Sequence, residues 1–291
     1  MTAHQVSDPA LRDLFGSLEL SLGNLRQGWP DAWPGLDLVL QRCWQRLGMP
    51  AQPPSERTAR LLDWSLRVAR EVEQDGRRLR AQQQELAYHN RLHIADTLVG
   101  MTHLLLACRQ VLPPAADQMH LEALCLAIMA GHDFRHPGGS NAFPGQFENL
   151  AVEALRPLMR EALLHEQDQS TVERCILLTD PLCVKSSHHS VVNVPFHLAD
   201  IRCMTVLVQE ADILASALPR TQQSLTQGLS QEWAPHNPHA AANLLLPSSR
   251  IGFLEHAALF SSPAAMALGL DAVKAQQISS SKKTSSRQNC S

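Results

Sequence analysis

Residues 121–136 read Leu121-Glu122-Ala123-Leu124-Cys125-Leu126-Ala127-Ile128-Met129-Ala130-Gly131-His132-Asp133-Phe134-Arg135-His136. The run is apolar at helical spacing. Leu121, Leu124, Cys125, Ile128 and His132 fall on one stripe, since the interval from Leu121 to His132 makes about three turns. A helix is predicted over Leu121–Ala130, with His132 projecting from its inward side beside Asp133. Alternating strand patterns are scarce elsewhere, so the fold class expected is all-α, a multi-helix bundle.

Working outward, residues 1–80 hold several helix candidates separated by breaks at Trp29–Gly35 and Met49–Pro54. Arg57–Gln84 reads as one long helix whose charges form a solvated face. Pro113-Pro114 separates two helices, and Asp168–Ser170 and Lys185–Asn193 read as loops. Ser224–Ser249 is polar with short helical pieces, and a last helix is expected from Ile251 to Phe260. The organisation expected is an N-terminal helical part (1–80) packed on the body or forming a homodimer surface. The main helical domain (81–278), which carries most of the histidines, and a low-complexity, disordered tail (279–291) follow.

With 291 residues, 44% hydrophobic and 18% charged, the chain can bury one sizeable core. A net charge of −3 gives no global basic field, so neither nucleic acid nor an anionic membrane is expected as partner. No apolar run reaches the roughly 20 residues of a membrane helix. The opening MTAHQVSDPALRD has no apolar segment of a secretory signal, and the seven cysteines are scattered and odd in number. These features lead to the expectation of a reducing, cytoplasmic location.

Fourteen histidines against one tyrosine point to metal chemistry. His89 and His93 are spaced to share a helix face. Ile201, Met204, Val208 and Asp212 form another stripe, and a carboxylate on an apolar stripe is costly unless paired or metal-bound. Imidazole nitrogens and carboxylate oxygens from separate helices suit divalent first-row metals. His93, His132, Asp133 and Asp212 make one closed set, and Asp133 could bridge to a second, wetter ion whose water His136 holds. Taken singly, His89 and His93 also fit an exposed face, and Asp212 a partner of a core arginine. Asp200, the rival acid, reads as the N-cap of an apolar helix.

Together these segments resemble, in order, the catalytic domain of the class I 3′,5′-cyclic nucleotide phosphodiesterases, within the HD-domain metallohydrolases. Tyr88-His89-x3-His93-x2-Asp96 is similar to the family's Y-H-x-x-x-H-x-x-D. His132-Asp133-x2-His136-x4-Asn141 is similar to H-D-x-x-H-x-x-x-x-N. Leu178-Thr179-Asp180 resembles A-T-D, Ala211-Asp212-Ile213 resembles A-D-[LI], and Ser249 to Leu254 resembles S-Q-V-G-F-I. The similarity spans roughly residues 60–265, and the second motif is the specific one.

The resemblance implies two divalent cations (Zn, Mg, Mn or Fe), the first held by His93, His132, Asp133 and Asp212. It implies His89 as general acid, and His136 and Glu148 around the second cation's water. It implies Phe253 as the clamp on a purine ring. The expected reaction is hydrolysis of a cyclic nucleotide or related phosphodiester by a metal-bridging hydroxide. Arg250 stands where the family has a glutamine. Its donors-only guanidinium suits guanine, phosphate or carboxylate better than adenine. Arg135 likewise replaces an acid. Other HD-type chemistries remain as alternatives: a phosphomonoester or nucleotide phosphohydrolase, a di-iron oxygenase, or a non-catalytic nucleotide sensor.

Overall fold

The computed structural model describes residues 8–50 and 52–288, with side chains to residue 283. Among the described residues the fold is all-α: fourteen helices and no strand. Three form the centre: α4 (Arg91–Val111), α5 (Gln118–Gly131) and α9 (Ile201–Ala217). Each of them packs on the other two. Residues 122–131 of α5 are all buried, as is nearly every residue of α4 between Arg91 and Cys108. A helix apolar on every side belongs in a core rather than on a surface.

The N-terminal helices α1 (Pro9–Gly28), α2 (Leu36–Arg46) and α3 (Glu56–Ala81) lie against this centre, α1 and α2 on α4 and α3 on α5. The main cluster of buried apolar side chains runs from Leu11 to Leu270, with a small separate one of Val191, Cys203 and Val206. Polar ties fix the arrangement. Arg26 of α1 grips Asp96 of α4 through two bonds of 2.8 and 2.6 Å, and Asp96 is fully buried. Arg57 of α3 and His120 of α5 both bind the buried Asp168. One-sided loss of such a partner strands a buried charge, which costs far more than the pair is worth in isolation.

The remaining helices pack around this body. They are α6 (Gln146–Glu161), α7 (Glu166–Leu177), α8 (Pro181–Ser190), α10 (Gln222–Trp233), α11 (Pro238–Leu244), α12 (Pro247–His256), α13 (Pro263–Ala267) and α14 (Leu270–Gln288). Three stretches differ from the sequence expectation. Asp168–Ser170 lies inside α7, because the polar Asp168 is an inward ion-pair partner rather than a loop residue. Residues 185–190 continue α8, which Asp180 caps and Pro181 starts. Residues 279–288, expected to be disordered, extend α14 without a Gly or Pro to stop it, and residues 289–291 lie outside the described residues. The expected helix over Ile251–Phe260 instead spans Pro247–His256, since Pro247 sets its first turn.

Candidate metal centre

His93 sits in the first turn of α4. The Asn90 side chain caps that turn by accepting bonds from the Leu92 and His93 amides at 2.9 and 3.2 Å. His132 closes the C-terminal end of α5, and its Nδ1–H donates to the Met129 carbonyl at 3.0 Å. Asp212 projects from the fourth turn of α9. The rival Asp200 accepts from the Arg202 amide as the N-cap of that helix, and its carboxylate pairs with the Arg202 guanidinium at 2.5 Å. Twelve residues separate the two acids, roughly 18 Å along the axis, so Asp200 does not reach the cluster.

The four ligand atoms converge. His93 Nε2 lies 3.1 Å from both Asp133 Oδ2 and Asp212 Oδ1, and His132 Nε2 lies 3.2 and 3.4 Å from the same two oxygens. Four ligands at about 2.0–2.1 Å around one tetrahedral cation stand roughly 3.3–3.4 Å from each other. The set therefore encloses a space of cation size. The donor chemistry agrees. With its proton committed to Met129, a neutral His132 presents only a lone pair at Nε2, toward two carboxylates that also only accept. This buried Nε2 has no hydrogen-bond partner among the described residues. A cation satisfies all of these lone pairs at once, and a ligating histidine that donates its other N–H to a carbonyl is the usual arrangement.

Without a cation, protons must serve instead. Burial alone would lower the pKa of His93, but its bonds to Asp133 and Asp212 win and push it up to about 9. His132 is raised for the same reason against the same burial. Burial would raise both carboxyls, yet the two imidazoles hold Asp133 and Asp212 well below the usual carboxylate range.

A second group adjoins the first. His89 lies in the loop before α4 rather than on its face, because Asn90 starts the helix after it. The two imidazoles still approach, with ring centroids of His89 and His93 5.7 Å apart. His89 Nδ1 bonds Glu232 Oε1 at 2.6 Å, and Glu232 Oε2 accepts from the Tyr88 and His89 amides, both at 3.0 Å. His136 stacks on His89 at 3.7 Å, just before a turn in which Gly138 has φ +85°. Burial, then the neighbouring His89, press the pKa of His136 down to about 4.

Glu232 escaped the sequence reading, which saw only a polar Gln-rich stretch. The available signal was Gly228, one turn earlier. A Cβ there would stand 2.6 Å from the Ala87 carbonyl, so only glycine lets α10 come close enough for Glu232 to reach His89.

Both groups open onto one cavity of about 530 Å³. Asn141 Nδ2 donates to Glu148 Oε2 at 2.9 Å, and Thr179 and Asp180 share that wall. Burial holds the Glu148 carboxyl above its ordinary value. Among the described residues no lysine or arginine lines this cavity.

Arg250 and Phe253 are not brought to it. They line a separate cavity of about 90 Å³, which shares only Tyr88 and Leu229 with the first. The Arg250 guanidinium donates to the Ser216 and Ala217 carbonyls at the end of α9 (2.7 and 3.3 Å) and to Gln277 Oε1 at 2.6 Å. Three of its five N–H donors are thus engaged by the protein itself. No protein-family model matches the chain, and no curated protein matches it.

Proposed function

We propose that this protein is a metal-dependent phosphodiesterase that hydrolyses a 3′,5′-cyclic nucleotide or a related small phosphodiester. One observation carries the reading: the imidazole nitrogens of His93 and His132 lie 3.1–3.4 Å from the carboxylate oxygens of Asp133 and Asp212, with no hydrogen-bond partner for His132 Nε2 among the described residues. A pair of divalent cations bound there would ionise water near neutral pH and offset the charge that develops on the phosphoryl oxygens.

The chain's own groups supply the rest. His93, His132, Asp133 and Asp212 hold the first cation. His136, Glu148 and Asn141 stand on the adjoining wall, where they would orient water around a second. His89 is the proton donor to the leaving oxygen. An alkoxide leaves poorly without one, and such a proton transfer contributes roughly 10²–10⁴-fold. Glu232 fixes the His89 ring through Nδ1, which leaves Nε2 as the atom that gives up the proton. Among the described residues no cationic side chain lines the cavity, so bound cations rather than arginines would neutralise the phosphate. The rings of Phe147 and Trp233 on its wall offer flat contacts for an organic group.

The test is turnover of a panel of cyclic nucleotides and other phosphodiesters with Mg²⁺, Mn²⁺ and Zn²⁺, read by product mass. The reading expects a phosphomonoester product that disappears in His89→Ala. Nucleotide binding without product, or oxygen uptake at a reducible iron centre, contradicts it.

A further inference from the structure

Helices α1, α2 and α4 enclose a cavity of about 350 Å³ that shares no lining residue with the candidate metal centre. Its size falls in the roughly 300–1,000 Å³ range of small-molecule sites. Part of the wall is apolar: Pro34, Val39, Cys43 and Val99. A gap left by imperfect packing is lined by hydrocarbon and stays dry. This one also presents Ser21, Asn24, Thr102 and His103, together with the two exposed guanidiniums of Arg42 and Arg46.

The charge is one-sided. Among the described residues no aspartate or glutamate lines the cavity. Arg46 gives one N–H to Ser17 Oγ at 2.8 Å, and the Arg42 guanidinium meets no acceptor among the described residues. His103 adds no charge of its own: it is 2% exposed, and its Nδ1 is engaged by the Val99 carbonyl at 2.8 Å. The walls are held in place beside it, since Arg26 of α1 is clamped to Asp96 of α4. Two guanidiniums at the rim of a half-apolar chamber match a ligand with an anionic oxygen head and a compact apolar body.

We infer that this cavity binds a small organic anion, such as a carboxylate or sulfonate on a short apolar body, with Arg42 and Arg46 on the anionic head. The inference is independent of the phosphodiesterase reading. The ligand would rest on the same helix that carries His93, three turns further along.

Isothermal titration of the full chain with octanoate, octylammonium and 8-anilinonaphthalene-1-sulfonate tests it. Both anions bind, and octylammonium binds at least tenfold more weakly. Arg42→Glu and Arg46→Glu, both at exposed positions, each weaken octanoate at least fivefold while thermal unfolding without ligand stays unchanged. Absence of octanoate binding, equal affinity for octylammonium, or binding that survives both charge reversals overturns the inference. Binding to phosphatidylglycerol vesicles without binding of free octanoate also overturns it, since the anion would then be a lipid headgroup at a surface.

Discussion

The His89 imidazole and the Glu232 carboxylate meet at 2.6 Å across 143 residues of sequence. The bond joins a loop before α4 to the end of α10, and Glu232 also takes the two backbone amides of that loop. The carboxylate therefore orients both the ring and the backbone that carries it. Glu232→Gln should lower kcat about 10–100-fold, the range seen when a partner that orients an active-site imidazole is removed, with metal content unchanged. Steady-state kinetics and metal analysis on the same samples check this; loss of metal would instead make Glu232 part of the cation site.

Gly228 provides the approach that Glu232 needs. A methyl group there would press on the Ala87 carbonyl at 2.6 Å, which is backbone and cannot swing aside. Gly228→Ala should destabilise the fold by about 1–3 kcal/mol and reduce kcat in the same direction as Glu232→Gln. Thermal unfolding and kinetics read the two effects separately, and wild-type kcat would break the proposed link between α10 and His89.

The two acids of α9 have opposite expectations. Asp212→Asn should strip the cation, because it removes a charged ligand facing both His93 and His132. Asp200→Asn should leave metal content intact, and Asn caps helices about as well as Asp. Metal analysis of both variants after gel filtration decides, and the reverse pattern would transfer the ligand role to Asp200.

Arg250 closes the C-terminal carbonyls of α9 from within a half-buried setting, where burial lowers its pKa to about 10. Arg250→Gln should therefore cost about 1–3 kcal/mol of stability, from acceptors left unpaired. The ratio of rates on cyclic AMP and cyclic GMP should stay unchanged. A shifted ratio at unchanged stability would return Arg250 to substrate recognition.

The metal-free protein should show a pH dependence of its own. His93 has its pKa raised to about 9 in the folded chain, against about 6.5 unfolded. A raised folded value gives stability that is complete below the unfolded pKa and is lost as pH climbs through the folded one. Chelator-treated protein should accordingly lose melting temperature between about pH 6.5 and 9, and added Zn²⁺ should remove that dependence because the cation takes the place of the protons. A flat profile in the chelated sample would contradict the proton-holding role of the cluster.

What the sequence made legible was local and periodic. The stripe from Leu121 to His132 placed His132 at an inward helix end, and the stripe from Ile201 placed Asp212 on the buried side of its helix, because both signals lie within one element. The Asp200 cap was readable for the same reason. Glu232 was not, since its partner lies on a remote loop and its neighbours are polar. Asp168 was misread as a loop residue because an inward carboxylate looks like a surface one until Arg57 and His120 are folded onto it. Arg250 takes its expected role from its place in a motif, and its hydrogen bonds to the end of α9 and to Gln277 become visible only once the chain is folded.

The central claim is that His93, His132, Asp133 and Asp212 share a cation. Its most direct test is titration of chelator-treated protein with Zn²⁺ at pH 8, followed by calorimetry, for the wild type and His132→Ala. The account predicts a tight stoichiometric site in the wild type that is absent from the variant, with the variant still folded by circular dichroism. No tight site in the wild type, or an unchanged one in His132→Ala, would contradict it.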